Sequence, residues 1–214
     1  MKIIKTLLAL STIMLFTGCV TSAHYTGKEP LKKNYGIVLA SATADNYLGS
    51  TLYAEIGLVN IKSGEKIDLQ NKVCRIKKDS PGMGLLVQLF IEDKEDQIEI
   101  KNHCGSLLIG EIKSGKYLLK SVFITSVNNA KGGYASVSGY PIIKKEIVEI
   151  KDGEIVYIGN VDIENLTMDY NYKIRTAEIS MINNLERDKK IFNRDYPLLK
   201  KIMIKDSSII LESK

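Results

Sequence analysis

Beyond residue 35 the apolar positions alternate with polar ones at a period of two, the spacing of strands rather than the 3.6 of a helix. Such runs cover 36–44, 52–61, 85–91, 97–100, 107–111, 117–126, 134–138, 146–150, 154–160 and 172–181. Turn material separates them: Ser63-Gly64-Glu65, Ser80-Pro81-Gly82, Ser114-Gly115-Lys116 and Asp152-Gly153. Asp152-Gly153 between two alternating runs predicts a hairpin with its glycine at positive φ. About eight to ten short strands with no helices between them predict an all-β, mainly antiparallel fold, a sandwich or barrel, in one domain over 35–214.

The period changes near the C-terminus. Leu185, Phe192 and Tyr196, with Ile191 beside them, lie at helical offsets and predict one short helix over 183–196. Asn183 or Asn184 is its cap, and Pro197 ends it. The apolar runs 202–204 and 209–211 predict a closing strand.

The N-terminus has a different character. Lys2 and Lys5 precede an apolar run from Leu7 to Phe16, too short for a comfortable span and followed by Thr17, Gly18 and Cys19. Phe16-Thr17-Gly18-Cys19 resembles a bacterial lipobox. The resemblance implies cleavage after Gly18, a diacylglyceryl group on the Cys19 sulfur and an acyl chain on its new amine. Several acyl chains make a stable anchor where one is marginal. Val20, rather than Asp, after the cysteine implies sorting to the outer membrane. A secretory signal cut after Ala23 and an uncleaved helix are the competing readings. Residues 20–34 show no strand or helix period and are expected to form a tether reaching up to roughly 50 Å.

The 214 residues contain 30 Lys or Arg, 25 Asp or Glu and three cysteines, a net charge of +5. Losing Lys2 and Lys5 with residues 1–18 lowers that to +3, too little to argue for nucleic acid. Hydrophobic content of 44% and charged content of 26% exclude a disordered or polytopic membrane protein. With Cys19 lipidated, Cys74 and Cys104 remain as an even pair in an exported chain. A bridge between them closes a loop of about 31 residues and stabilises by roughly 3.5–4 kcal/mol; the alternative is two buried thiols that never meet.

No recognisable catalytic or metal motif is present: Gly-x-Ser-x-Gly, His-Glu-x-x-His and phosphate-binding loops are all missing, so no catalytic residue, metal or cofactor is expected. His103 and Cys104 are neighbours that a strand turns to opposite faces. The acidic cluster Glu92, Asp93, Glu95, Asp96 reads as a loop, and 81–84 as a plain glycine-rich loop. Residues 186–205 hold seven basic side chains against three acids, either a docking face or the solvated side of a packed helix.

Taken in order, the lipobox, the Ser114-Gly115-Lys116-Tyr117 turn opening a strand, the 153–160 run and Tyr196-Pro197 resemble a broad group of small bacterial outer-membrane lipoproteins. Similar turns occur in immunoglobulin-like and transthyretin-like sandwiches. The resemblance implies a β-sandwich with one short C-terminal helix, anchored through Cys19, non-enzymatic, and binding a protein or glycan partner in the envelope. A subunit of an oligomeric envelope assembly and a hydrolase with converging carboxylates are the other classes.

Overall fold

A computed structural model describes residues 20–45, 51–74, 97–100, 103–128, 133–141, 146–168 and 174–211. The described chain is mainly strand and forms two sheets. Sheet I has the order β1 (Val20–Ser22), β4 (Lys66–Cys74), β3 (Thr51–Asn60), β7 (Gly115–Asn128) and β8 (Gly133–Pro141), with β9 (Ile147–Ile150) also on β7. Sheet II runs β11 (Ile174–Ile182), β10 (Ile155–Met168), β2 (Tyr35–Asp45), β6 (His103–Lys113) and β5 (Gln97–Ile100), with β12 (Ile204–Asp206) on β10. Most pairings are antiparallel, as the alternation predicts; β1–β4, β2–β10 and β10–β12 are parallel.

The sheets share one core. Leu52, Ala54, Ile56 and Leu58 of β3 meet Val38, Ala40 and Ala42 of β2 and Val156 and Ile158 of β10. The other face of sheet II is covered too, which is why β2 is buried on both sides from Gly36 to Ala44. Its cover is the helix α1 (Leu185–Asp195), whose Phe192 packs with Tyr196, Ile37, Leu39, Ile155 and Tyr157. The side chain of Asn183 accepts from Leu185 N at 2.9 Å, while Asn184 holds the cap position without a side-chain bond. Pro197 opens a 3₁₀ turn through Leu199.

Two expectations need correction. Residues 20–34 are not a free tether. Val20–Ser22 pairs with β4, Ala23 N donates to Asp68 O, and Tyr25 N donates to Ile109 O. Tyr25 is buried and stacks on Tyr196 with ring centroids 6.1 Å apart, since an aromatic ring gains more from this apolar face than the segment gains from staying mobile. Lys32 closes the segment on Glu111 at 2.8 Å. Asp152-Gly153 does make a turn, with Gly153 at φ 72°, but the turn joins β9 of sheet I to β10 of sheet II and so is not a hairpin. The β3–β4 connection through Gly64 is one. The run 85–91 lies outside the described residues. β1 and β4 fall outside the runs that the alternation predicts.

Candidate functional site

Three places hold the chemistry among the described residues: a polar cluster beneath α1, the outer face of sheet I, and the end of the sandwich where the chain enters β1.

The cluster begins with a bulge. Along β10 the register to β2 shifts between Tyr157 and Gly159, and Gly159 takes φ 127°. The extra residue changes which side chains face α1: Tyr157 does before the bulge, and Asn160 does after it. Asn160 thereby meets Ser41 and Thr43 of β2 and Arg187 of α1, next to Asp188 in the chain. Asp188 is fully buried. Its Oδ2 accepts from Tyr157 OH at 2.7 Å and from Ser41 Oγ, and its Oδ1 accepts from Arg187 Nε at 2.8 Å. Arg187 also donates to Ser41 Oγ at 3.1 Å and Asn160 Oδ1 at 3.0 Å. Asn160 Nδ2 donates to Thr43 Oγ1, which donates on to Asp162 Oδ1. Burial, and then the Asp188 carboxylate beside it, push the Tyr157 phenol far up, so it stays a proton donor. Every buried side-chain polar atom among the described residues is satisfied. This arrangement pins the helix to the sheet; it presents no unpaired nucleophile or base.

The outer face of sheet I is different, since no helix or segment among the described residues covers it. Rows run across β4, β3 and β7: Lys72–Tyr53–Thr125, Gln70–Glu55–Phe123 and Asp68–Gly57–Ser121. Tyr53, Phe123, Val59 and Leu118 are half-buried here, outside both core clusters. Lys72 Nζ lies 6.0 Å from the Tyr53 ring centroid. Glu55 is raised above the ordinary carboxyl range by burial and then by the charge of Asp68; burial raises Asp68 as well, against the pull of Lys66. This face thus sets two aromatic rings beside two carboxylates and a lysine.

Gly18 and Cys19 lie outside the described residues. Cys74 ends β4 and its side chain is outside them also, as are His103's side chain, the 92–96 acidic cluster and the 81–84 loop. Cys104 is half-buried in β6. The basic stretch 186–205 divides: Arg187 turns into the cluster, Lys205 pairs with Glu154 at 3.6 Å, and Lys189, Lys190, Lys200 and Lys201 are exposed. No group of three His, Cys, Asp or Glu among the described residues is placed to hold a metal. No helix among them is long and apolar enough to cross a membrane.

Fold and site together define a two-sheet, mainly antiparallel β protein with one capping helix. No protein-family model matches the chain, and no curated protein matches it. Among solved structures, a leucine-rich repeat protein from Bacteroides thetaiotaomicron VPI-5482 is similar over 62% of this chain and 14% of its own, at 13% identity and a TM-score of 0.35. A likeness that weak carries no argument.

Proposed function

We propose that the protein is a lipid-anchored bacterial envelope lipoprotein without enzymatic activity, held in the outer membrane through Cys19, whose sheet I face binds a protein or glycan partner. The observation that carries the binding face is the asymmetry of the two sheets. Sheet II is covered by α1 and residues 23–34, whereas no described residue covers Tyr53 and Phe123 beside Glu55 and Asp68 on sheet I. The anchor rests on the lipobox chemistry of 16–19. Two sheets around a common core support kinship with immunoglobulin-like or transthyretin-like sandwiches, from which the parallel pair β2–β10 departs.

The same reading includes a Cys74–Cys104 disulfide. Asn71 Nδ2 donates to Leu107 O at 2.7 Å and Ser106 Oγ donates to Lys72 O, ties that step along β4 and β6 in opposite directions. Two more residues along each strand bring Cys74 opposite Cys104, and Cys104 is not a free thiol.

The test is photocrosslinking in intact cells from a benzoylphenylalanine at Thr125 on sheet I or at Lys189 on α1. A discrete adduct from Thr125 with none from Lys189 is expected. Adducts from Lys189 alone, or from neither position, contradict a sheet I binding face.

A further inference from the structure

We propose that the end of the sandwich from which β1 starts is a membrane-apposed face, shaped to lie on an anionic phospholipid surface. This inference rests on the Cys19 anchor.

The topology collects several connections at that end. Val20 pairs with Lys66, Gly115 with Ile150 and Ile155 with Ile204, each at the first or last position of its strand, and Asn60 at the end of β3 pairs with Tyr117, two residues into β7. The β9–β10 turn is held against the start of β2 by Gly153 N donating to Tyr35 O at 2.8 Å. The β3–β4 turn, the β6–β7 joint, the β9–β10 turn and the loop before β12 therefore share one surface.

Lysines outnumber acids on it. Lys62 and Lys66 come from the first turn, Lys113 and Lys116 from the joint and Lys151 from the third turn, and all are exposed. The loop before β12 adds exposed Lys200 and Lys201. None of these lysines has an ion-pair partner among the described residues. Two of the acids at this end are used internally, and Glu65 in the β3–β4 turn and exposed Glu149 opposite Lys116 stand against the seven lysines. Asp152 Oδ1 accepts from Asn34 N at 2.7 Å, and Glu154 accepts from Lys151 N and pairs with Lys205. Among the lysines stand exposed apolar side chains: Ile61 at 52% and Met203 at 86%. A single exposed apolar residue is ordinary. Apolar tips set among unpaired lysines at the anchored end have the composition of segments that settle at a lipid headgroup boundary.

The anchor geometry supplies the occupant. β1 runs away from this end, parallel to β4, with Val20 opposite Lys66, and the proposed anchor residue directly precedes Val20 in sequence. With residues 23–34 docked on the domain, no long spacer separates the lysines from the bilayer. Each lysine brought to an anionic surface raises binding about fivefold. The strands then stand on the membrane by their ends, leaving the sheet I face open at the side.

For the test, the full-length protein purified with its lipid is placed on phosphatidylcholine vesicles with or without about 30% phosphatidylglycerol, and amide hydrogen exchange is measured. Amides of 61–66 and 197–203 are expected to exchange at least about threefold more slowly on the anionic vesicles, and the difference to vanish near 0.5 M salt. A variant carrying Lys62→Gln, Lys66→Gln, Lys116→Gln and Lys151→Gln should lose the difference; the salt series on the parent protein stands if that variant fails to fold. Equal exchange on both vesicles, or slowing that survives both salt and the substitutions, overturns the proposal. The mass of the Cys19 peptide separates the two readings. A bare Cys19 overturns the anchor and this face together, whereas a lipidated Cys19 without charge-dependent protection overturns the face alone.

Discussion

Asp188 stands where the apolar stripe of α1 calls for a leucine, three residues after Leu185 and four before Phe192. Its carboxylate is tolerated because Arg187, Tyr157 and Ser41 all donate to it, and removing it strands those donors in a dry interface. Asp188→Ala is therefore expected to cost about 3–5 kcal/mol in urea unfolding. A loss under 1 kcal/mol would show the cluster to be incidental. Glu55 lies at the opposite extreme. Burial and Asp68 raise it, so the stability linked to this group is present below its unfolded value and is lost as pH rises through its folded one. Glu55→Gln should thus melt above the parent at neutral pH, with the gap closing in acid; the reverse order at neutral pH contradicts the assignment. The alternation in β2 places Ser41 and Thr43 on one face, and the helical period places Asp188 in the stripe. Their meeting was not legible, because it depends on a register shift in β10 that no local spacing announces.

That shift is a property of the element. Gly159 adopts φ 127°, where a side chain is strained, and a Cβ there would approach Ile209 O at 3.3 Å and Ile182 O at 3.4 Å. Gly159→Ala is expected to cost about 1–3 kcal/mol and to loosen α1, read as faster exchange of the Asn184–Asp188 amides. An unchanged melt would mean the bulge relaxes freely. Strands with strong alternation were legible: β2, β3, β7 and β9 lie within a few residues of where the pattern puts them. β4 was not legible although Ile67, Leu69 and Val73 alternate, because Asn71 interrupts them to reach Leu107 O. The docking of residues 20–34 was not legible because it hangs on single contacts, Tyr25 against Tyr196 and Lys32 on Glu111, rather than on a period. Burial raises Glu111, but the hydrogen bonds from Lys32 outweigh it and hold the carboxyl low, so this clasp stabilises above the ordinary carboxylate range and is lost in acid.

At the scale of the molecule, one sheet is covered by its own helix and N-terminal segment, and the other has an outer face that no described residue covers. The proposed anchor, disulfide and binding face fit that division. In the proposed arrangement the lipid end and the covered sheet hold the domain in place, and the sheet I face is the one that meets a partner. Fold class was legible from period two alone. The face was not, since period two shows that a strand has an outer side but not whether a helix will cover it. Cys19 is the residue on which the proposed anchor, location and orientation of the domain all rest. Its most direct test is the intact mass, under non-reducing and reducing conditions, of the protein extracted from the membrane fraction of its native cells. The expected species is the 19–214 chain carrying a diacylglyceryl group and an acyl chain, lighter by two hydrogens before reduction. A chain beginning at His24, or one beginning at Met1 without lipid, would contradict it.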